Sequence, residues 1–420
     1  MALIARFLSP VEQGFYYTFG SLVAIQIVFE LGFSYVVLQM ASHEKAHLTI
    51  SADYEITGDP VALSRLASVI QKSLRWYSVA AVCLFSVLLP VGFRFFSTSQ
   101  AGVSNSVWKF PWCAAVCAVV LTFQIDPLLS FLEGCGYVTQ VARLRFMQSV
   151  VGSILAWSAL VIGHGLFAPA MMLFGMAGTA LVWLSRRWVL LKTLIRHHPG
   201  PHRIRWMAEV WSFQWRIAIS WLCGYFLFQL FNPVLFRFWG PVAAGQMGMS
   251  LSMANAVQAV AVSWVSTKSA PFGSLIALKK FHDLDHLFFR AVKQAVGVSL
   301  LGSAALWLIC LYLHIHGTAF GHRILGPTAF GLLLLTTILN VITFAQALYL
   351  RAHKEEKFLL NSVVGALCVC ATTIILGRLY GAIGMIAGYF TITILGIAWT
   401  TAIFSKYRRL WHQDVQEKAL

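Results

Sequence analysis

The sequence predicts an all-α integral membrane protein of about eleven transmembrane helices, arranged as two pseudo-repeated bundles. Three observations predict it. First, 59% of the 420 residues are hydrophobic and only 11% are charged, against roughly 45–50% and about 25% in soluble domains. Second, the apolar residues come in unbroken runs of the ~20 residues that a helix needs to cross a bilayer core of about 30 Å. They do not alternate with polar residues as barrel strands would. Third, Lys and Arg fall mostly in every second loop. The composition excludes a soluble enzyme, a disordered chain and a nucleic-acid-binding domain. The net charge of +16 does not restore the last of these, because the basic residues sit between apolar runs rather than on one soluble face.

Taken in order, the runs cover 15–41, 73–93, 110–132, 146–165 and 167–185, then 217–236, 246–267, 294–313, 328–350, 358–377 and 380–405. The first is the longest and holds a carboxylate, Glu30. The third holds Asp126 and Pro127, and the sixth ends in Asn232 and Pro233. The fourth and fifth are separated only by a short turn, and so are the last two. Residues 42–72 are polar, and 268–293 contain an amphipathic stretch expected to lie along the membrane surface. The organisation expected is an N-terminal lobe over 1–190, a basic cytoplasmic linker over 191–210 and a C-terminal lobe over 211–420.

Of the 31 Lys and Arg residues, 25 lie in alternate loops beginning with the one after the first run. Six lie in the others: Arg6, Arg94, Lys109, Arg237, Arg323 and Arg378. By the positive-inside rule this puts the C-terminus in the cytoplasm and the N-terminus outside. The outward loops are short and leave no room for a folded extracytoplasmic domain. The eight cysteines lie in or beside apolar runs without zinc-site spacing and read as small apolar fillers. No cofactor motif, nucleophile elbow or phosphate-binding glycine loop is present, and no metal site is expected.

An internal repeat supports the two-bundle plan. Residues 6–14 read RFLSPVEQG and residues 237–245 read RFWGPVAAG, with five of nine positions identical. Each copy opens an apolar run. Two similar halves are a transporter signature. The second copy follows a full span, whereas only MALIA precedes the first. The expectation is that most of a first helix is missing, either because the start lies downstream of the true one or because the helix was lost.

The segment ARFLSPVEQGFYYTFGSLVAIQIVFELGFSYVVLQMA resembles the opening of polysaccharide (O-antigen) flippases of the multidrug/oligosaccharidyl-lipid/polysaccharide (MOP) exporter superfamily. The motif positions are Ala5, Arg6, Leu8, Pro10 and Gly14, then Glu30 and Gly32. PLLSFLEGCGYVTQVARLR and RFWGPVAAGQMGMSLSMANAV resemble the end of the fourth family helix and the entry to the eighth. The resemblance implies a twelve-helix plan of two six-helix lobes around a central cavity. It implies a bacterial inner-membrane protein whose substrate is an oligosaccharide carried on polyprenyl pyrophosphate. The sugar head would cross by alternating access, in some relatives coupled to H+ or Na+, and membrane lipids would be the other partner.

Charges at bilayer depth are costly and mark function by default. Glu30, with Gln26 one turn earlier, is the first candidate for substrate binding or coupling. The plainer alternative is a neutral acid hydrogen-bonded to a neighbouring helix. Asp126 is the second, with the alternative that its carboxyl satisfies the break made by Pro127. Arg216, at the inner end of its helix, could pair with pyrophosphate through its forked donors or snorkel to the interface. Arg6, Pro10 and Gly14 with Arg237, Pro241 and Gly245 are candidate turn or gate residues, and Pro233 a candidate kink. The basic segment 196–205 is expected to meet anionic headgroups. Two other readings stay open: an antiporter of small cationic solutes in the same superfamily, and a membrane enzyme of glycan assembly, which the short outward loops disfavour.

Overall fold

The computed structural model describes residues 1–51, 55–98, 104–198, 203–205, 211–353 and 357–416. These are helical or in turns, apart from one antiparallel hairpin that pairs Leu48–Ile50 with Ile56–Gly58. The chain is a multi-pass membrane protein. It divides into two compact units, Met1–Tyr225 and Phe226–Leu420.

The first unit opens with α1, Ala2–Phe7, and α2, Pro10–Val23. The turn between them is written in RFLSP. Ser9 accepts from the Glu12 amide while the Glu12 carboxylate accepts from the Ser9 amide, a complete capping box. Pro10 takes the first helical position, where no amide is needed. The first apolar run then becomes α2, a short α3 over Gln26–Glu30, and α4 over Phe33–Lys45. The bend across Leu31 and Gly32 is 44°.

After the hairpin, α5 spans Pro60–Ser97, α6 Asn105–Gly134, α7 Val138–Val161, α8 Ala168–Ser185, α9 Trp188–Arg196 and α10 Trp211–Phe228. Helix α5 begins thirteen residues before its apolar run. The polar loop expected over 42–72 is therefore partly helix, and its foot is held by the Arg65–Glu44 ion pair at 2.7 Å. An aromatic core of Phe15, Phe19, Phe96 and Trp112 joins α2, α5 and α6, with ring centroids 5.0–6.1 Å apart. Helices α7 and α8 approach closely because Gly152 and Gly175 face each other; a Cβ on Gly175 would lie 3.0 Å from the Gly152 Cα.

The second unit holds α11 Phe231–Ser266, α12 Ser269–Ala277, α13 Phe281–Ile315, α14 Pro327–Ala352 and α15 Leu359–Gln416. Two of these are helix pairs joined at a glycine: Gly240 (φ 84°, ψ 176°) in α11 and Gly381 (φ 63°, ψ −146°) in α15. The core gathers Phe288, Tyr349 and Phe404, with centroids 4.9–5.2 Å apart.

Three sequence expectations change. Among the described residues seven helices are long and apolar enough to cross a membrane, or eight with the bent pair at the N-terminus. The difference from eleven lies in α15, which Gly381 divides into two runs, and in α10 and α11, which are long but carry more polar residues. All eleven runs nevertheless fall on helices. The kink expected at Asn232–Pro233 sits earlier: α10 ends at Phe228 and α11 starts at Phe231. Pro233 is thus in the first turn, where its missing amide removes no helical hydrogen bond. Of the amphipathic stretch within 268–293, the first part falls on the separate short helix α12, and the part from Phe281 onward is not a separate surface helix. It is the foot of α13, because no breaker separates it from the span.

Candidate functional site

The site is built where the first span breaks. The backbone leaves α3 at Glu30 and passes through two left-handed residues, Leu31 (φ 52°) and Gly32 (φ 66°), before α4 restarts at Phe33. Gly32 adopts this conformation without a steric cost. Leu31 does not; a left-handed L-residue costs roughly 1–2 kcal/mol. A strained break inside a membrane span persists only where surrounding packing enforces it. Here Phe33 and Val37 are buried, and Phe33 stacks on Tyr77 of α5 at 5.8 Å.

The break aims a carboxylate at a polar cluster. The half-buried Glu30 is hydrogen-bonded to the Ser34 side chain. The Ser34 Oγ is 2.8 Å from the Tyr77 hydroxyl. Tyr77 is fully buried between Phe33 and Phe123, the latter ring at 4.8 Å. Asp126, on α6 with an exposed side chain, lies within electrostatic reach of both Glu30 and Tyr77. Arg145 of α7 forms an ion pair with Glu133 at 3.1 Å and lies within electrostatic reach of Glu30 and Asp126. Gln124 donates to Ser78 at 3.1 Å. The side-chain oxygens of Gln26 and Gln124 are buried without a hydrogen-bond partner. A buried acceptor of this kind calls for a donor or a cation. The set can bind a proton or a small cation, or present hydrogen-bonding groups to a polar substrate. No group of three or more His, Cys, Asp or Glu suited to a metal ion occurs among the described residues.

Two of the predicted candidates, Glu30 and Asp126, are therefore brought together. Gln26 lies one turn before Glu30 on α3. Helix α6 runs unbroken through Pro127, so the carboxyl of Asp126 is not closing a gap in the helix. The other N-terminal candidates sit elsewhere. Arg6 is exposed, with its guanidinium over the Phe7 ring at 5.6 Å. Pro10 starts α2, and Gly14 is buried within it. In the second unit Arg237 is exposed just before the Gly240 break, Pro241 starts the helix beyond it, and Gly245 and Pro233 are buried. The two copies of the repeat thus have the same local design, a break followed by proline. Arg216 lies on α10, and its side chain is outside the described residues, as are residues 199–202 of the basic segment.

Sequence reasoning missed Ser34, Tyr77 and Arg145. Ser34 is four residues after Glu30, a spacing visible in the sequence. Tyr77 and Arg145 arrive only through the packing of α5 and α7.

No family model and no curated protein matches the chain. Solved structures do. An inward-facing multidrug resistance MATE family transporter of the MOP superfamily aligns with a TM-score of 0.66 at 15% identity, over 95% of this chain and 94% of its own. A MOP superfamily transporter from Pyrococcus furiosus, described as having a binding pocket of reversed polarity, aligns at 0.55 and 15%, over 96% and 90%. The lipid II flippase MurJ, in an inward closed conformation, aligns at 0.57 and 11%, over 98% and 89%. The chain has the fold of these membrane transporters.

Proposed function

We propose that the chain is an exporter of the MOP type that moves a polyprenyl-pyrophosphate-linked oligosaccharide across the bacterial inner membrane by alternating access. The observation that carries this reading is the broken first span, with Glu30 and Asp126 brought together behind it. The likeness to the MATE transporters and to MurJ along nearly the whole chain supports the transport class. The opening motif from Ala5 to Gly32 supports the glycolipid substrate.

In this mechanism the lipid tail stays in the bilayer and only the polar head crosses. Glu30 and Asp126 form the coupling site. Loading them with H+ or Na+ neutralises two carboxylates and lets the α3–α4 break change its bend. The Ser34–Tyr77 hydrogen bond ties that bend to α5, so a change at Glu30 reaches a second helix.

The test is the sidedness of lipid-linked glycan in a deletion strain. Glycolipid is expected to accumulate in the inner leaflet, and the wild-type gene to reverse this. Glu30→Gln and Asp126→Asn are each expected to lower export by about tenfold or more, because each removes an ionisable group at bilayer depth. Export at the wild-type rate by both variants would overturn the coupling role.

Two carboxylates within electrostatic reach of each other, with two unpartnered amide oxygens, also favour a second reading, an antiporter of small cationic solutes. That reading expects hypersensitivity of the deletion strain to cationic compounds and no glycan defect.

A further inference from the structure

A recess lies in the second unit. It is a groove of about 680 Å³ between α13 and α14, lined by residues that include Leu300, Ser303, Trp307, Leu311, Gly331 and Leu335. It runs from Leu300 to Leu311 along α13 and from Pro327 to Ile338 along α14. At 1.5 Å per residue that is about 17 Å, close to the ~15 Å of one leaflet's hydrocarbon. The groove starts near mid-membrane and ends where residues 316–326 join the two helices. Leu300 and Leu335 stand at its mouth, each 49% exposed.

Its most buried lining residues are Ser303 and Leu334. A Cβ on Gly331 would lie 3.0 Å from the Trp307 indole nitrogen, which donates to the Pro327 carbonyl at 3.1 Å. Any larger residue at 331 would displace that indole. Ser303 is 5% exposed, and its buried hydroxyl has no hydrogen-bond partner.

The open end carries charge of one sign. His314, His316, His322 and Arg323 lie in and beside the connection, and no Asp or Glu occurs anywhere from 286 to 354. An apolar slot one leaflet long, ending at a connection that carries Arg323 and no carboxylate, complements an anionic headgroup with a long apolar tail. The Lys and Arg distribution puts this end on the outer side.

We infer that the α13–α14 groove is a binding site for the polyprenyl phosphate carrier, with its chain in the slot and its phosphate at the Arg323 connection. The inference rests on the flippase reading. It adds a tail site on the release side to the coupling site in the first unit. The chain enters sideways from the bilayer, so the carrier is held once its head has crossed.

The experiment uses the full-length protein in nanodiscs of zwitterionic lipid. One arm contains a polyprenyl monophosphate with a photoreactive diazirine on its chain. The other contains phosphatidylglycerol with the same group on an acyl chain, at equal mole fraction. The polyprenyl probe is expected to label peptides covering 300–311 and 327–338 about fivefold more than the phosphatidylglycerol probe does. Leu335→Trp, at the exposed mouth, and Ser303→Leu, on the floor, are each expected to cut that labelling about fivefold, because each removes the space for several methylenes. Arg323→Ala should lower it without changing labelling on other helices.

Equal labelling by both probes, or labelling unaffected by both groove-filling variants, would overturn the site. The transport reading fails by a different result, namely normal glycolipid sidedness in the deletion strain. Preferential labelling with normal sidedness would keep the site and reject the flippase. Trapped glycolipid without preferential labelling would do the reverse.

Discussion

At the scale of single residues, Leu31 carries the strain of the first span. Its left-handed backbone would suit glycine better. Leu31→Gly is expected to relieve about 1 kcal/mol of backbone strain, partly offset by the unfolded-state entropy of a new glycine. The detergent-solubilised variant should melt no lower than wild type. A clear fall in melting temperature would show that the leucine side chain, rather than the backbone, is what the site needs. The contrast with Gly20 is instructive. Gly20 is exposed in the middle of α2, with open space where a Cβ would stand. Gly20→Ala should raise stability by about 0.5–1 kcal/mol through helix propensity alone. Much of the site is legible at this scale. Glu30 and Asp126 stand out because a charge within an apolar run is costly, and Gln26 because it shares a helix face with Glu30. Tyr77 does not stand out, because a tyrosine in an apolar run is common and only its neighbours give it a role.

At the scale of elements, the second unit depends on two glycine breaks that touch each other. Trp239, just before the Gly240 break, donates its indole N–H to the Gly377 carbonyl at 2.8 Å. Its ring covers Gly381, where a Cβ would sit 3.1 Å from it. The carbonyls freed at the end of a helix need partners, and in a bilayer water is not there to supply them. Trp239→Phe keeps most of the packing and leaves that carbonyl unpaired, so a loss of about 1–3 kcal/mol is expected. Gly240→Ala forces a side chain into a backbone region that only glycine occupies readily, and a similar or larger loss is expected. Thermal melts of the two variants check both, and an unchanged melting temperature would mean the breaks are not held in this way. The sequence reading marked this segment through the RFWGP repeat and through Gly245. It placed the kink at Pro233, where proline only fills a first turn. Proline marks where a helix cannot continue inward, and a first turn is such a place. Glycine marks where the backbone must pass through positive φ, and the breaks at 32, 240 and 381 all do so.

At the scale of the molecule, the alternation of Lys and Arg across the loops is the strongest statement about orientation. It predicts a cytoplasmic C-terminus. A reporter fused after Leu420 should be active if it works only in the cytoplasm, and inactive if it needs export. The opposite pattern would invert the assignment of every loop, including the one that closes the α13–α14 groove. The sequence alone determined the class of the protein, because a bilayer permits few solutions: about twenty apolar residues, all backbone groups paired within the helix, and basic loops on one side. Those rules act locally and can be read residue by residue. Tertiary structure alone decided where the first span breaks, which carboxylates come within electrostatic reach of each other, and that α13 and α14 part to leave a slot. Each of these depends on which faces of distant helices meet, and packing within a membrane is set by shape and small residues rather than by a hydrophobic pattern. In runs that are apolar on every side, no such pattern remains to be read.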